Sequence, residues 1–515
     1  MTALSHASII GVIGAGTMGA GIAQVAAHAG HDVWLYDVAP QAVERGINQV
    51  TQGLDKLVGR GTMSATDKDD LLARLKPASE LSQLADCALV IEVIVEKLDV
   101  KQNLFAQLED ICGPETILAT NTSSISVTSI ASGLKHPNRL VGMHFFNPAP
   151  IMKLVEVVSG LATTQDVASC IYDTATAWGK HAVYTNSTPG FIVNRVARPF
   201  YAEGLRIYQE GGADFVTIDT VMRECGGFRM GPFELMDLIG HDVNYAVTNS
   251  VFDAYYGDPR FLPSLVQKEL VNAGRLGRKT KAGFYDYHEE AETQQISDHG
   301  VVDRSIDRVK ISGNCTAVQG LVDLLEKTDG LHLDIDEDVN YPAQIQIGNA
   351  TMMLCDGRFA TVRSRDEGIE NLIHFDLALN YSLTPRIVLA KSIQASEDAL
   401  KDAIVLFQLL GKKVNVIEDI PGLIVMRTLA MLANEGADAV FQQVCTIEDV
   451  DIAMKGGVNY PLGPMQWSDQ VGLATIFDTL QGLGQSYGED RYRISPLILK
   501  TVAAGQSFAC LSKKR

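Results

Sequence analysis

Residues 8–37 read SIIGVIGAGTMGAGIAQVAAHAGHDVWLYD, and few stretches of this length leave a chain less choice of fold. SIIGVI is a short apolar strand, AGIAQVAAHAG a helix of small residues, and HDVWLYD a second strand ending at Asp37. Between the first strand and the helix, GAGTMG sets Gly14, Gly16 and Gly19 at the spacing of a dinucleotide-binding turn. Gly14 permits the tight turn, Gly16 lets the backbone approach a pyrophosphate, and Gly19 lets helix and strand pack closely. The phosphates would rest on the helix N-terminus, where unpaired N–H groups and the helix dipole favour an anion. Thr17 and Met18 fall inside the same turn and are counted with the glycines as cofactor-binding. Asp37 lies 23 residues after Gly14, where its carboxylate can accept hydrogen bonds from ribose hydroxyls. An acid there repels a 2′-phosphate and the following VAPQ supplies no cation, so the expected cofactor is NAD. A GxGxxG alone often marks only a tight turn; strand, glycines, helix, strand and acid in this order make it specific.

The sheet continues through CALVIEVIVE (87–96), TILAT (116–120) and RLVGMHF (139–145), alternating with helical stretches. That pattern predicts a doubly wound α/β domain of Rossmann type reaching to about residue 187. Inside it, residues 41–76 are helical and partly charged, with Lys56, Arg60 and Lys68. They read as a solvated helical hairpin; a mobile arm contacting a phosphate-rich ligand is the alternative. At 515 residues the chain has room for three or four domains. It contains no run of eighteen apolar residues, so no membrane span is expected. MTALSHASIIGVIGAG runs straight into a strand, which argues against a secretory leader. The eight cysteines are scattered with no CxxC, which speaks against zinc or disulfides and for a reducing cytoplasm. A net charge of −19 argues against nucleic acid as a partner.

The stretch LVGMHFFNPAPIMKLVEVVSG (140–160) buries His144 and Glu156 in an apolar run. Taken singly, a histidine beside two phenylalanines is a structural core residue, and a glutamate in LVEVV belongs to a half-exposed strand. Taken together they suit a general base and a carboxylate that stabilises its protonated form, sheltered from water.

The back half holds an internal repeat. TPGFIVNRVARPFYAEG (188–204) matches IPGLIVMRTLAMLANEG (420–436) without a gap. At the same offset of 232, Gly179-Lys180 falls on Gly411-Lys412, Asp219 on Asp451, Asp237 on Asp469 and Gly240 on Gly472. The two segments are copies of one helical domain. Asn194 of the first becomes Met426 in the second, and no GxGxxG precedes the second copy. LIHFDLALNYS (372–382) resembles GMHFFNPAPIM (142–152) around its HF pair, but TPRIVLAKS (384–392) has no evident counterpart of Glu156. One working site per chain is expected. The expected domains are 1–187, NAD-binding; 188–287, the first helical copy; 288–330, a linker; 331–419, a decayed partial α/β copy; and 420–515, the second helical copy.

GAGTMGAGIAQ, IEVIVEKLDVKQNLF (91–105), NTSSISVTSIA (121–131), HFFNPAPIMKLVEVV (144–158), TPGFIVNRV (188–196), GPFELMDLIG (231–240) and GRLGRKTKAGFYDY (274–287) together carry a resemblance along nearly the whole chain. The chain resembles the 3-hydroxyacyl-CoA dehydrogenase family. Its duplicated back half, with ANEGADAV and GVNYPLGPMQW, is similar to the longer bacterial members, including those assigned to 3-hydroxyadipyl-CoA in phenylacetate breakdown. The resemblance implies a Rossmann-type domain followed by all-α domains of the 6-phosphogluconate dehydrogenase C-terminal type. It also implies NAD-dependent oxidation of an (S)-3-hydroxyacyl-CoA, hydroxyadipyl or hydroxybutyryl. By the same resemblance His144 matches the catalytic base and Glu156 its partner, while Ser123 and Asn194 hold the reacting oxygen. Glu96, Lys101 and Asn147, with Ser123, match positions near the nicotinamide, and Lys56 a residue contacting CoA. Two alternatives stay open: a dehydrogenase of a free hydroxy acid, and a non-catalytic NAD-binding structural protein of the same fold. The partners expected are an acyl-CoA and either a second copy of the chain or, in its place, the chain's own second helical copy. A substrate with a terminal carboxylate would call for a cation, for which Arg198 and Arg229 are candidates that the sequence does not place.

Overall fold

SIIGVI forms strand β1 (Ile10–Ile13), and all four of its residues are buried, as a central strand covered on both faces requires. The computed structural model describes residues 2–292, 294–338 and 341–512. The chain divides into two compact units, one of residues up to Arg195 with 442–458, the other of 196–441 with the residues from Asn459 on. In the first unit β1 is joined by β2 (Val33–Tyr36), β3 (Leu75–Ala78), β4 (Leu89–Glu92), β5 (Ile117–Thr120), β6 (Leu140–Phe145), β7 (Leu154–Ser159) and β8 (His181–Asn186). Their order is β3-β2-β1-β4-β5-β6-β7-β8, and β6–β7 is the single antiparallel pair. The helix Thr17–His28 packs so closely behind β1 that a Cβ on Gly19 would lie 1.7 Å from the Gly14 carbonyl oxygen. Helices Pro40–Gly59 and Ala65–Arg74 make the hairpin expected between β2 and β3, burying Val43, Val50, Leu54 and Leu71 and leaving Lys56 exposed.

The second unit holds a second sheet. Its strands are β9 (Arg308–Ser312), β10 (His332–Asp336), β11 (Gln344–Ile347), β12 (Ala350–Leu354), β13 (Leu372–Phe375), β14 (Arg386–Lys391) and β15 (Lys413–Val416), in the order β10-β9-β11-β12-β13-β14-β15. From β12 on, the pairing repeats that of β5 to β8: parallel, antiparallel, parallel. The reduction lies upstream. A tight turn at Gly348-Asn349 joins β11 to an antiparallel β12, where the first unit runs from β4 to β5 through the helix Leu98–Ile111. Residues 288–330, expected to be a linker, are only in part irregular. RVKIS is β9 and QGLVDLLE is a helix that buries Leu321, Val322 and Leu325, so the second α/β layer starts near 308. The charged residues alternating along β9 (exposed Arg308 and Lys310, buried Val309 and Ile311) gave the segment its polar look.

The second helical copy is not one contiguous body either. Its helix Ile447–Val458 belongs to the first unit, packed on β7 and β8, with the Asn186 amide donating to the Val444 carbonyl (2.9 Å). The counterpart in the first copy, helix Phe215–Glu224, packs in the second unit against β14; there the Leu379 amide donates to the Cys225 carbonyl (2.8 Å). Each copy thus lends one helix to the other copy's sheet. In the second unit the helices Arg198–Gln209 and Val425–Phe441 pack together. Glu203 takes Arg427 (2.8 Å) and Arg491 (2.7 Å), while Arg260 takes Glu435 (3.2 Å) and Asp438. Burial pushes the Glu203 carboxyl up, but Arg491 and Arg427 outweigh it and hold the group at about 2. Buried pairs of this kind add little to stability, because the cost of taking the charges out of water offsets much of their attraction.

The ladder corrects one alignment made on the HF pairs. His374 faces Ala390 and Phe375 faces Leu389, and the Asp376 amide donates to the Val388 carbonyl. Asp376, not His374, therefore stands where His144 stands, and Val388 where Glu156 does. The Asp376 carboxylate accepts from the amides of Ile424 (3.0 Å), Val425 (2.7 Å) and Met426 (3.0 Å). His374 is fully buried with neither ring nitrogen bonded, and burial lowers it to about 3. Burial likewise raises Asp376 from 3.8 to about 6 despite its amide donors. The fold then binds more protons than the unfolded chain between those values, so its stability falls as pH rises through that window. Asp376→Asn should lose about 1–3 kcal/mol because its NH2 is turned onto helix amides. The loss, read from urea midpoints, should be larger at pH 5 than at pH 7, and an equal loss at both would remove the assignment.

Candidate active site

Strands β1, β4, β5 and β6 run parallel, so the loops after them gather at one edge of the sheet, where open α/β sheets bind ligands. After β1, Gly14 adopts φ +102°, and a Cβ there would lie 2.4 Å from the Val93 carbonyl oxygen. Gly16, ahead of the first turn of helix Thr17–His28, is different: a Cβ there would meet nothing within 4 Å. The open ground at that helix N-terminus fits a pyrophosphate. Thr17 is exposed beside it and Met18 half-buried. Asp37 accepts from the Ala15 amide (2.8 Å) and the Ala39 amide (3.0 Å), which fixes its carboxylate at the end of β2. The residues present therefore fit NAD. Gly16→Ala should raise the KM for NAD about tenfold or more with Tm unchanged, since the methyl occupies the phosphate's approach. Gly19→Ala should instead fail to fold stably, because its Cβ has no room. Equal thermal loss in both variants, measured by calorimetry, would contradict this division of roles.

After β4, Glu96 organises the loop that follows β5. Its Oε1 accepts from the Thr122 hydroxyl (2.6 Å), the Ser123 amide (3.0 Å) and the Ser124 amide (3.1 Å). Burial alone would raise its pKa, but the Thr122 hydrogen bond and the Lys101 charge hold it below the usual range. Lys101 is itself buried, bound to Glu92 (2.6 Å) and Glu96 (3.2 Å), so its charge acts on the loop through Glu96. Ser123 is half-buried on that loop. Asn121 Oδ1 accepts from the Phe145 amide (2.7 Å), tying the loop to the residue after His144.

His144 and Glu156 are direct partners across β6 and β7. His144 Nδ1 lies 2.6 Å from Glu156 Oε2, with the imidazole 5% exposed and the carboxylate fully buried. Glu156 Oε1 accepts from the amides of Ile192 and Val193, both at 3.0 Å. With the carboxylate accepting on every side, Nδ1 carries the proton that faces it. Nε2 makes no hydrogen bond among the described residues. The rings of Phe146 (4.6 Å) and Phe191 (5.7 Å) flank the imidazole.

The TPGFIVNR turn presents those two amides. Gly190 and Phe191 both have positive φ (77° and 47°), and the repeat sets Gly422 and Leu423 in the same conformation (73° and 51°). The second turn offers its amides to Asp376. What the two copies share is thus an acid that anchors a helix start, and what the first adds is the imidazole. Asn194 is half-buried on the helix Val193–Val196, next to an anchored amide. Asn147 is exposed just past β6, and Lys56 is exposed on the hairpin. The turn amides of Ile192 and Val193, Asn121 and Glu92 were not singled out from sequence. Asn121 and Glu92 sat inside quoted motifs, but main-chain donors leave no trace in residue type. Lys180 explains one unassigned match. Its Nζ donates to the Ala149 (2.5 Å) and Met152 (2.8 Å) carbonyls, as Lys412 does to Tyr381 (2.6 Å) and Thr384 (2.8 Å).

Comparison with known proteins agrees with this geometry. Residues 9–188 match the family model "3-hydroxyacyl-CoA dehydrogenase, NAD binding domain". Residues 190–287 and 422–508 both match "3-hydroxyacyl-CoA dehydrogenase, C-terminal domain", and 352–421 match "3-hydroxybutyryl-CoA dehydrogenase reduced Rossmann-fold domain". The chain is 42% identical over 489 residues to the 3-hydroxyadipyl-CoA dehydrogenase of Escherichia coli K12, covering 95% of this chain and 96% of that one. It is 40% identical to the 3-hydroxybutyryl-CoA dehydrogenase of Clostridioides difficile over 54% of its own length and 99% of the relative's. A crystal structure named 3-hydroxybutyryl-CoA dehydrogenase, from Escherichia coli K12, superposes with TM-score 0.87 at 41% identity, covering 97% of this chain and 99% of that one. Twofold matching of the helical model, a reduced second Rossmann layer and a cofactor loop with open ground at Gly16 leave one conclusion: the chain is a member of the 3-hydroxyacyl-CoA dehydrogenase family, an NAD-dependent oxidoreductase.

Proposed function

We propose that His144 is the general base in the oxidation of the C3 hydroxyl of an (S)-3-hydroxyacyl-CoA, with Glu156 as its buried partner. The observation that carries this is the 2.6 Å contact between His144 Nδ1 and Glu156 Oε2, which leaves Nε2 free of hydrogen bonds among the described residues. Nε2 accepts the C3 hydroxyl proton, and Glu156 stabilises the imidazolium that forms. Bound NAD supplies the acceptor for the hydride that leaves C3. Gly14, Gly16, Thr17, Met18, Gly19 and Asp37 hold its pyrophosphate and adenosine ribose. Glu96 and Lys101, with Asn147, shape the nicotinamide end. Ser123 and Asn194 hydrogen-bond the reacting oxygen and orient it, which raises the rate by positioning. Phe146 and Phe191 keep water from the pair and so strengthen its attraction. Lys56, exposed on the hairpin, meets the CoA moiety.

The acyl chain we favour is hydroxyadipyl, because the relative that shares nearly the whole duplicated architecture is named for that substrate. Hydroxybutyryl is the second reading, on the name of the superposed structure. The test is NADH consumption with 3-oxoadipyl-CoA and acetoacetyl-CoA side by side. A much higher kcat/KM for the first places the enzyme in the breakdown of aromatic acids such as phenylacetate, and the reverse order places it in short-chain metabolism. Silence on both thioesters with NADH still bound would overturn the catalytic reading. Eight free cysteines, seven of them buried, support a reducing cytoplasm as its compartment.

The exchanged helices support a further part of the proposal, that the second copy takes the place of a partner subunit. A fragment of residues 2–290 lacks the helix that covers β7 and β8. It should dimerise or aggregate in sedimentation experiments, and a well-folded monomer would remove this reading.

A further inference from the structure

The helix Ile447–Val458, which the second copy lends to the first sheet, ends in Lys455-Gly456-Gly457-Val458. Glycine weakens a helix relative to alanine, and it is kept where the backbone needs a positive φ or another group comes close. Neither Gly456 nor Gly457 has a positive φ. Gly457 is buried, and a Cβ there would lie 2.8 Å from Leu154 Cδ2, 3.0 Å from Val193 Cγ2 and 3.5 Å from Phe146 Cε1. Gly456 differs: the three atoms nearest a Cβ there all belong to Leu154, from 3.3 Å outward. The segment is tied to the sheet just before the helix, where the Asn186 amide and Nδ2 donate to the Val444 (2.9 Å) and Gln443 (2.6 Å) carbonyls.

Two of the three neighbours of Gly457 belong to the candidate active site. The Phe146 ring lies against the His144 imidazole (4.6 Å between centroids), and the Val193 amide donates to Glu156 (3.0 Å). The other half of the chain fills the matching positions the opposite way. At the offset of 232, Gly457 corresponds to Cys225, Phe146 to Ala378 and Leu154 to Arg386. Cys225 is buried, and its thiol donates to the Arg386 carbonyl (3.4 Å). Where the sheet carries an imidazole, a phenyl ring goes with a glycine. Where it carries Asp376, an alanine goes with a cysteine.

We propose that Gly457, a residue of the second copy, is a positioning residue of the active site. By carrying no side chain it lets the Phe146 ring seat against His144 and leaves Val193 in place to serve Glu156. The role rests on the function proposed above. It gives the second copy a part in the chemistry beyond covering the sheet. A close-packed interior transmits a displacement rather than absorbing it, so a side chain at Gly457 moves the ring or the turn. A small misplacement near a reacting group is costly in rate. The cofactor loop from Gly14 to Gly19 makes its own turn, so binding of the nucleotide is untouched.

The experiment uses the full chain and measures kcat and KM with NADH and the faster of 3-oxoadipyl-CoA and acetoacetyl-CoA, with urea midpoints alongside. Gly457→Ala should lower kcat about tenfold and leave KM for NADH unchanged. Gly456→Ala, one residue away on the same helix, should keep the wild-type kcat. Gly457→Cys should lower kcat further, by about 10²-fold. In a Phe146→Ala background the same cysteine should cost less than about threefold, because residues in contact couple and the alanine gives it room. Should Gly457→Cys fold poorly alone, a urea midpoint restored by adding Phe146→Ala supports the same seat. Equal kcat in Gly457→Ala and Gly456→Ala, or an equal cost of the cysteine in both backgrounds, overturns the proposal and leaves the proposed function standing. A wild type that turns over neither thioester removes that function, and this role with it.

Discussion

His144→Gln should lower kcat by about 10²- to 10⁴-fold, the usual contribution of a positioned base, with little change in KM. The glutamine amide fills much of the imidazole's space and can still donate to Glu156, so the ladder between β6 and β7 is kept. It cannot take a proton at the position of Nε2. Binding of NAD, followed by calorimetry, should be unaffected, because the loop at Gly14 to Gly19 makes its own turn. A kcat within tenfold of wild type would remove His144 from the reaction.

Glu156 should show two separable effects. Glu156→Gln keeps an oxygen for the Ile192 and Val193 amides but turns an NH2 toward His144. The imidazole must then accept at Nδ1 and carry its proton on Nε2, the wrong tautomer for a base. In the serine-protease triad the equivalent change, a worked case in which an aspartate becomes asparagine, costs about 10⁴ in kcat, and a loss of similar order is expected here. Stability should fall little. Glu156→Ala should lose the same activity and in addition about 2–4 kcal/mol, because two buried amides and the imidazole are left without an acceptor. Urea midpoints beside kcat separate the two variants. Equal stability of the Gln and Ala forms would show that the anchoring of the turn does not depend on the carboxylate.

The cofactor loop was legible in the sequence because each glycine there answers to a steric fact. Gly14 and Gly19 have no room for a side chain, and Gly16 opens on empty ground. The His144–Glu156 pairing was legible as composition, one base and one acid in a greasy run, and through resemblance. Their direct opposition on a single rung needed the strands, since a shift by one residue would have put them on opposite faces. The same rule explains the misread second copy. Two HF dipeptides look alike, but the ladder moves the second by two residues, and Asp376 takes the place of the histidine. The helix Ile447–Val458 could not be assigned to the first sheet from sequence, because a helix's apolar face does not say which sheet will cover it. Residues 308–326 escaped because a strand with one face exposed reads as polar.

The exchanged helices have a consequence for how such a chain can change. In a homodimer of identical subunits every substitution is made twice, and a loss on one side is a loss on both. A tethered pair is released from that symmetry. Residues that brace a neighbour and residues that perform chemistry can then drift independently, so His144 can stay in one half while an aspartate takes its place in the other. Under the proposal that the second copy stands in for a partner subunit, the half with Asp376 at that position is a scaffold in permanent attendance, present at a fixed ratio of one to one at any dilution.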